Sequence, residues 1–240
     1  MIFNFLKVLT LLWILSVFDF TSTSEVRQMT WVKDDTYKDL TLSSSLWQTT
    51  VRSRLTCSIT CTDDLQCGAF FFSDTTKLCL ASSFLLSSIG QGAPLVGSEY
   101  YYFRPANCPA SYMYNRKAKL CIKIFSADLT SWSVAKTNCE TNAVGGGLVL
   151  IRNQDQQDFL ASELAKLPPD AEFWVDGTDS TTEGTYLAKD GSTMTFFSWD
   201  TSQPDGMSNI EDCLALNYLS QYKLIDYNCI DYIHYICEVV

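Results

Sequence analysis

The chain has 240 residues, ten cysteines, one histidine and a formal net charge of −10. A chain this acidic disfavours nucleic acid and anionic membrane, where clustered Lys and Arg must meet phosphate, and it suits cations. With His234 as the only imidazole, and that one alternating with apolar neighbours as on a strand, histidine-activated nucleophiles and His-rich metal sites have almost nothing to work with.

Residues 1–24 read "MIFNFLKVLTLLWILSVFDFTSTS". Lys7 precedes an apolar run, Val8–Phe18, and Ser22 and Ser24 are spaced for cleavage before Glu25. The run is short of the ~20 apolar residues that span a bilayer, so it reads as a signal peptide. No later run approaches that length, so the expectation is a secreted, extracellular protein with no membrane span and no nucleic-acid partner. All ten cysteines follow residue 24, and an even number in an exported chain reads as disulfides rather than metal thiolates. There is no Asn-x-Ser/Thr sequon.

The cysteines fall into two groups, Cys57 to Cys79 and Cys108 to Cys237, and Pro105 and Pro109 bracket a junction between them. The boundary is placed near Ala106, giving domains 25–105 and 106–240, each of ordinary domain size. In the first, Leu55–Asp63 has a helical pattern with Cys57 and Cys61 four apart on one face. "GAFFFS" reads as a buried strand and "KLCLAS" as its partner after the "SDTT" turn. This region resembles the PAN/apple module, with C-x3-C-x5-C, an aromatic strand, then a last cysteine before a hydrophobic residue. The resemblance implies a small disulfide-rich α+β domain with bridges Cys57–Cys79 and Cys61–Cys67, and partners that are proteins or sugars.

The second region opens with "CPASYMYNRKAKLC", two aromatic-rich segments that read as a hairpin. Thr130 can cap a helix carrying Trp132, Ala135 and Cys139, which Gly145 ends. Asn153 and Gln156 make a capping-box-like start to a second helix, with Leu160, Leu164 and Leu167 as its stripe and Pro168–Pro169 as its stop. Six short strand patterns follow: "EFWVDG", "TYLAKDGS", "TFFSW", "CLALNY", "YKLIDYNC" and "YIHYICEV".

The order of "SWSVAKTNC", "GGGLVLI", "FWVDGTD", "EGTYLAKDGS", "FFSW", "QPD" and "EDCLAL", with the last two cysteines, resembles the C-type lectin-like domain over residues 108–240. The resemblance implies an α+β fold of two helices and two small antiparallel sheets, stapled by Cys139–Cys237 and Cys213–Cys229, with Cys108–Cys121 marking the long form. A bridge closing a loop near 100 residues contributes up to ~4.7 kcal/mol in the chain-entropy model.

"QPDGMSNIEDC" concentrates acids and amides without a lysine or arginine. It is either a calcium site or a polar surface loop. Calcium takes 6–8 oxygen ligands. In sugar-binding members of the family, a Gln-Pro-Asp or Glu-Pro-Asn triplet around a cis proline, a glutamate before a cysteine and an Asn-Asp pair supply them. Carried over, this implies that Gln203, Asp205, Glu211 and Asp226 hold calcium and sugar, with Asp179, Glu183 and Asp212 at an auxiliary ion site. The chain departs from the pattern at Ile225, which offers no oxygen where the family has Asn, and at Gly206, where a further aspartate is usual. Gln-Pro-Asp goes with galactose-type ligands in the family. Such sites usually add a stacking aromatic, absent at Gly206 and Met207, while Trp199 matches a core position.

The expected function is therefore a secreted, calcium-dependent lectin for glycans or glycoproteins, in innate immune recognition, with protein partners at the PAN/apple-like domain. The alternative is a C-type lectin-like protein that binds a protein ligand without calcium or sugar, for which Ile225 is the best evidence. Asp176 and Asp179 are the acids to nominate for glycoside hydrolysis. Asp176 reads as part of a core turn, and no family precedent supports catalysis, so the chain is not read as an enzyme.

Overall fold

The computed structural model describes residues 31–42, 45–83, 92–205 and 210–240. The signal-peptide reading of 1–24, and the readings of Gly206 and Met207, lie outside the described residues. Among the described residues no helix is long and apolar enough to cross a membrane.

The first half runs β1 (Trp31–Asp34), β2 (Leu40–Leu42), β3 (Trp47–Thr50), α1 (Arg54–Asp63), β4 (Ala69–Ser73), β5 (Leu78–Ser82), β6 (Gly92–Pro94) and β7 (Ser98–Phe103). Five strands form an antiparallel sheet in the order β1-β7-β4-β5-β3, and β2 pairs with β6. Helix α1 starts where the Ser53 hydroxyl accepts the Thr56 N–H at 3.2 Å, satisfying a donor that the first turn leaves free. It presents Cys57 and Cys61 to the sheet. Strand alternation sends Phe70 and Phe72 to that side, and Ala69 and Phe71 to the other, with Tyr37, Leu80 and Tyr100. Apolar cover on both faces is why this strand is an unbroken apolar run.

The second half runs β8 (Met113–Asn115), β9 (Leu120–Thr130), α2 (Trp132–Asn142), β10 (Gly146–Leu148), α3 (Gln154–Leu164), β11 (Phe173–Thr178), β12 (Cys213–Asn217), β13 (Lys223–Tyr227) and β14 (Ile233–Val239). Instead of the two small antiparallel sheets expected, seven strands join in one mixed sheet, β13-β12-β11-β14-β9-β8 with β10 on β14. The cause is β14, which pairs antiparallel with β9 and β10 and parallel with β11, and so unites them. Where β10 leaves α2, a Cβ at Gly146 would lie 2.3 Å from the Cys139 carbonyl oxygen, so glycine is required there.

Three local expectations change. Thr130 does not cap α2, because it pairs with Ile233 as the last residue of β9, and Ser131 takes the cap position. "TYLAKDGS" and "TFFSW" form only isolated bridges at Leu187, Thr193 and Trp199. Their aromatics serve packing instead: Phe197 stacks on Trp199 at 5.1 Å, and Tyr186 lies 5.4 Å from Trp199. Helix α3 does begin with a cap, the Asn153 side chain accepting the Gln156 N–H at 3.0 Å, while the Gln156 side chain accepts the Arg152 N–H at 2.7 Å.

The ten cysteines pair as Cys57–Cys79, Cys61–Cys67, Cys108–Cys121, Cys139–Cys237 and Cys213–Cys229. The two sheets share no strand. They meet through Arg116, which sits between β8 and β9 and is 7% exposed. Its guanidinium donates to the carbonyls of Cys61 (2.8 Å), Thr62 (2.8 Å), Asp64 (3.1 Å) and Cys67 (2.6 Å). Cys61 and Thr62 are among the last residues of α1, whose carbonyls lack intrahelical donors, and a side chain from the other half supplies them.

Candidate cation and saccharide site

The site lies at the outer edge of the sheet, on its end strand β13. The chain before it runs along that edge: the Leu224 N–H donates to the Ser198 carbonyl at 2.9 Å and the Asp200 N–H to the Leu224 carbonyl at 2.8 Å. The loop then reaches Gln203–Pro204, a cis peptide bond. Asp226 is 2% exposed. Its N–H donates to Gln203 Oε1 at 3.2 Å, and its Oδ1 accepts the Asp205 N–H at 3.2 Å. Glu211 arrives from the other side, two residues before Cys213, which opens β12 opposite Tyr227. The result is that carboxylate oxygens of Asp205, Glu211 and Asp226 lie within 4.8 Å of one another.

Three like charges at that spacing repel by about 3 kcal/mol per pair before solvent screening, at an effective dielectric near 20. A cation among them reverses the sign. The donor set is oxygen only, with no thiolate or imidazole, which matches a hard ion such as calcium. Gln203, Asp205, Glu211 and Asp226 would hold it. The ion would supply charge neutralisation and open positions for ligand hydroxyls.

A family model described as "Lectin C-type domain" matches residues 128–239. Perlucin of Haliotis laevigata is 30% identical over 132 residues, covering 55% of this chain and 82% of perlucin. The chain belongs to the C-type lectin family. C-type lectin domain family 4 member E of Homo sapiens is 31% identical over 137 residues, 55% of this chain and 59% of that protein. Over 55% of this chain the fold is similar to that of the C-type lectin CEL-I from Cucumaria echinata, with a TM-score of 0.51 and 22% identity, covering 97% of that chain. C-type lectin domains typically bind calcium, and the family is generally one of binding proteins, consistent with a chain that is not an enzyme.

This C-type lectin does not gather every residue read from its sequence. Asp179, Glu183 and Asp212 stay outside the tight acidic cluster. Asp179 is nonetheless buried; its Oδ2 accepts the Gly184 N–H at 2.8 Å, and among the described residues its Oδ1 has no hydrogen-bond partner within ordinary geometry. The charge of Asp179 raises the Glu183 carboxyl above its ordinary range, with burial, Asp212 and Asp226 adding to it. Burial, then the charges of Asp179, Asp226 and Glu183, also push the Tyr186 phenol up. The acids thus share one negative field without sharing one point.

Ile225 is 6% exposed and packs in the cluster that holds Trp174, Cys213 and Ala215. Its position in this lectin is filled by hydrocarbon in the core. Asp176 lies in β11 rather than a turn, and burial pushes its carboxyl up to about 6. Its Oδ2 accepts the Lys189 N–H at 2.8 Å, and Lys189 Nζ reaches Glu238 at 3.8 Å, beside the Arg152–Glu238 pair at 2.9 Å. That network ties β11 and β14 to the segment that carries Lys189. Arg116 carried no sequence signal, since an arginine in "NRKAK" reads as a solvated turn residue.

Proposed function

We propose that this C-type lectin is a secreted, calcium-dependent carbohydrate-binding protein that holds calcium and sugar at Gln203, Asp205, Glu211 and Asp226. The convergence of three carboxylates within 4.8 Å of one another carries the reading. The buried Asp179 Oδ1, without a hydrogen-bond partner among the described residues, supports an auxiliary ion at Asp179, Glu183 and Asp212. The Gln203-Pro204-Asp205 order supports a galactose-type preference. The apolar segment before Glu25 supports export, and innate immune recognition of microbial glycans or glycoproteins is the role in keeping with it. The chain divides at about Ala106 into a PAN/apple-like domain (25–105), where protein partners would dock, and the lectin domain (106–240).

A second reading, a protein ligand bound without calcium or sugar, is favoured by the burial of Ile225 where sugar-binding relatives offer an amide. One experiment separates the two. The full chain is titrated with calcium by calorimetry, then applied to a glycan array with and without chelator. Saturable calcium binding with chelator-sensitive retention of galactose-terminated glycans is expected. No saturable calcium binding and no chelator-sensitive glycan would leave the protein-binding reading in its place.

A further inference from the structure

In the first half of the chain, α1 and the strands beneath it enclose a groove of about 810 Å³. One wall is aromatic. Trp31, half-buried, meets Phe70 edge-on at 4.9 Å, and Tyr101 stacks on Phe70 at 5.0 Å. The rim is a polar network. Lys33 Nζ pairs with Glu99 Oε1 at 2.8 Å, while Arg54 Nη1 donates to the Tyr101 hydroxyl at 2.9 Å and lies 3.6 Å from Glu99 Oε2.

The side chains of Arg54 and Glu99 remain 58% and 33% exposed, so each keeps donors or acceptors for a ligand. The hydrogen bond from Lys33, then that from Tyr101, holds the Glu99 carboxyl below its ordinary range, so despite its partial burial it remains a charged acceptor at neutral pH. Charge decides the ligand class. Lys33 and Arg54 are offset by Glu99 and by Asp74, also in the lining. With no net sign, the groove favours neither a phosphate nor an ammonium group. An aromatic wall beside paired donors and acceptors suits a neutral ligand with an apolar face and adjacent hydroxyls. A pyranose ring has both.

We propose that this groove is a second saccharide site, independent of calcium, with the sugar's C–H face against Trp31 and its hydroxyls on Glu99 and Arg54. The chain would then carry two saccharide sites of different chemistry, and a branched glycan reaching both would gain avidity without any new contact. The inference does not rest on the calcium site.

The test uses the full chain on an array of neutral oligosaccharides in EDTA. Retention in chelator is expected, falling at least tenfold in Trp31→Ala and in Glu99→Gln. Ser58→Phe fills the groove from α1, one turn from Arg54, and should cause the same loss in a folded protein. Glu211→Gln should remove only what calcium adds, so the two sites fail separately. A wild type that holds no neutral saccharide in EDTA, or one whose retention Ser58→Phe and Glu99→Gln leave intact, would overturn the proposal.

Discussion

The main-chain N–H of Asp226 donates to the side-chain oxygen of Gln203 at 3.2 Å, across 23 residues of sequence. The same aspartate accepts the Asp205 N–H on its Oδ1. A single buried residue on β13 therefore holds both ends of the Gln-Pro-Asp triplet. Its burial makes the arrangement stiff, and its charge makes it costly without a counter-ion.

Relief of that cost is measurable. Glu211→Gln removes one of the three clustered charges. The variant is expected to gain about 1 kcal/mol without calcium, or roughly 2–4 °C in melting temperature for a chain of this size. Its calcium affinity should fall at least tenfold. Calorimetry in EDTA and in calcium reads both. A lower melting point in EDTA with an unchanged calcium response would mark the acids as an ordinary polar loop.

The double substitution Gln203→Glu with Asp205→Asn conserves formal charge. Calcium affinity should stay within about tenfold, ~1.4 kcal/mol, while donors and acceptors facing the sugar exchange sides. Elution from galactose and mannose resins should shift toward mannose. If neither protein is retained on either resin in saturating calcium, the loop is not a sugar site.

Ile225→Asn tests the vacant ligand position. The side chain lies in the Trp174 cluster, so a buried amide there is expected to cost about 2–4 kcal/mol and to leave calcium affinity unchanged. A rise in calcium affinity would show instead that the amide turns out of the core and completes the donor set.

Asp176 predicts a pH dependence. Its carboxyl, at about 6 in the fold, sits above its ordinary 3.8. Between those values the folded state keeps a proton that the unfolded chain has released, so stability falls as pH rises from about 4 to about 6 and levels off above. The loss is on the order of 3 kcal/mol at most. Asp176→Asn keeps an oxygen for the Lys189 N–H and removes the titration, so its advantage over wild type should grow across that window in urea unfolding. An advantage constant from pH 4 to 7 would show that the carboxyl titrates normally.

Arg116 is the bolt between the two sheets. Arg116→Lys keeps the charge but not the planar fork, and leaves several carbonyls at the end of α1 without donors. The expected cost is about 2–4 kcal/mol, with faster chymotryptic cleavage after Phe103, the last residue of β7 before the junction between the sheets. A change below about 0.5 kcal/mol with unaltered cleavage would show that the halves dock by other contacts.

The features legible in the sequence alone are those whose energetics are local. The Asn153 cap, the Cys57 and Cys61 spacing on α1 and the "AFFF" strand follow from helix and strand periods that any short window displays. The resemblance to C-type lectins added a bridge pairing and a ligand set that no local rule supplies. Other features were decided only by the tertiary structure, because they depend on which distant segments become neighbours. Pairing to β14 made one mixed sheet and took Thr130 from its helix. Packing against Trp174 turned Ile225 from a missing ligand into a core residue. The meeting of Asp205, Glu211 and Asp226 required the outer edge of β13, and the four carbonyls around Arg116 exist as a site only once the two halves dock.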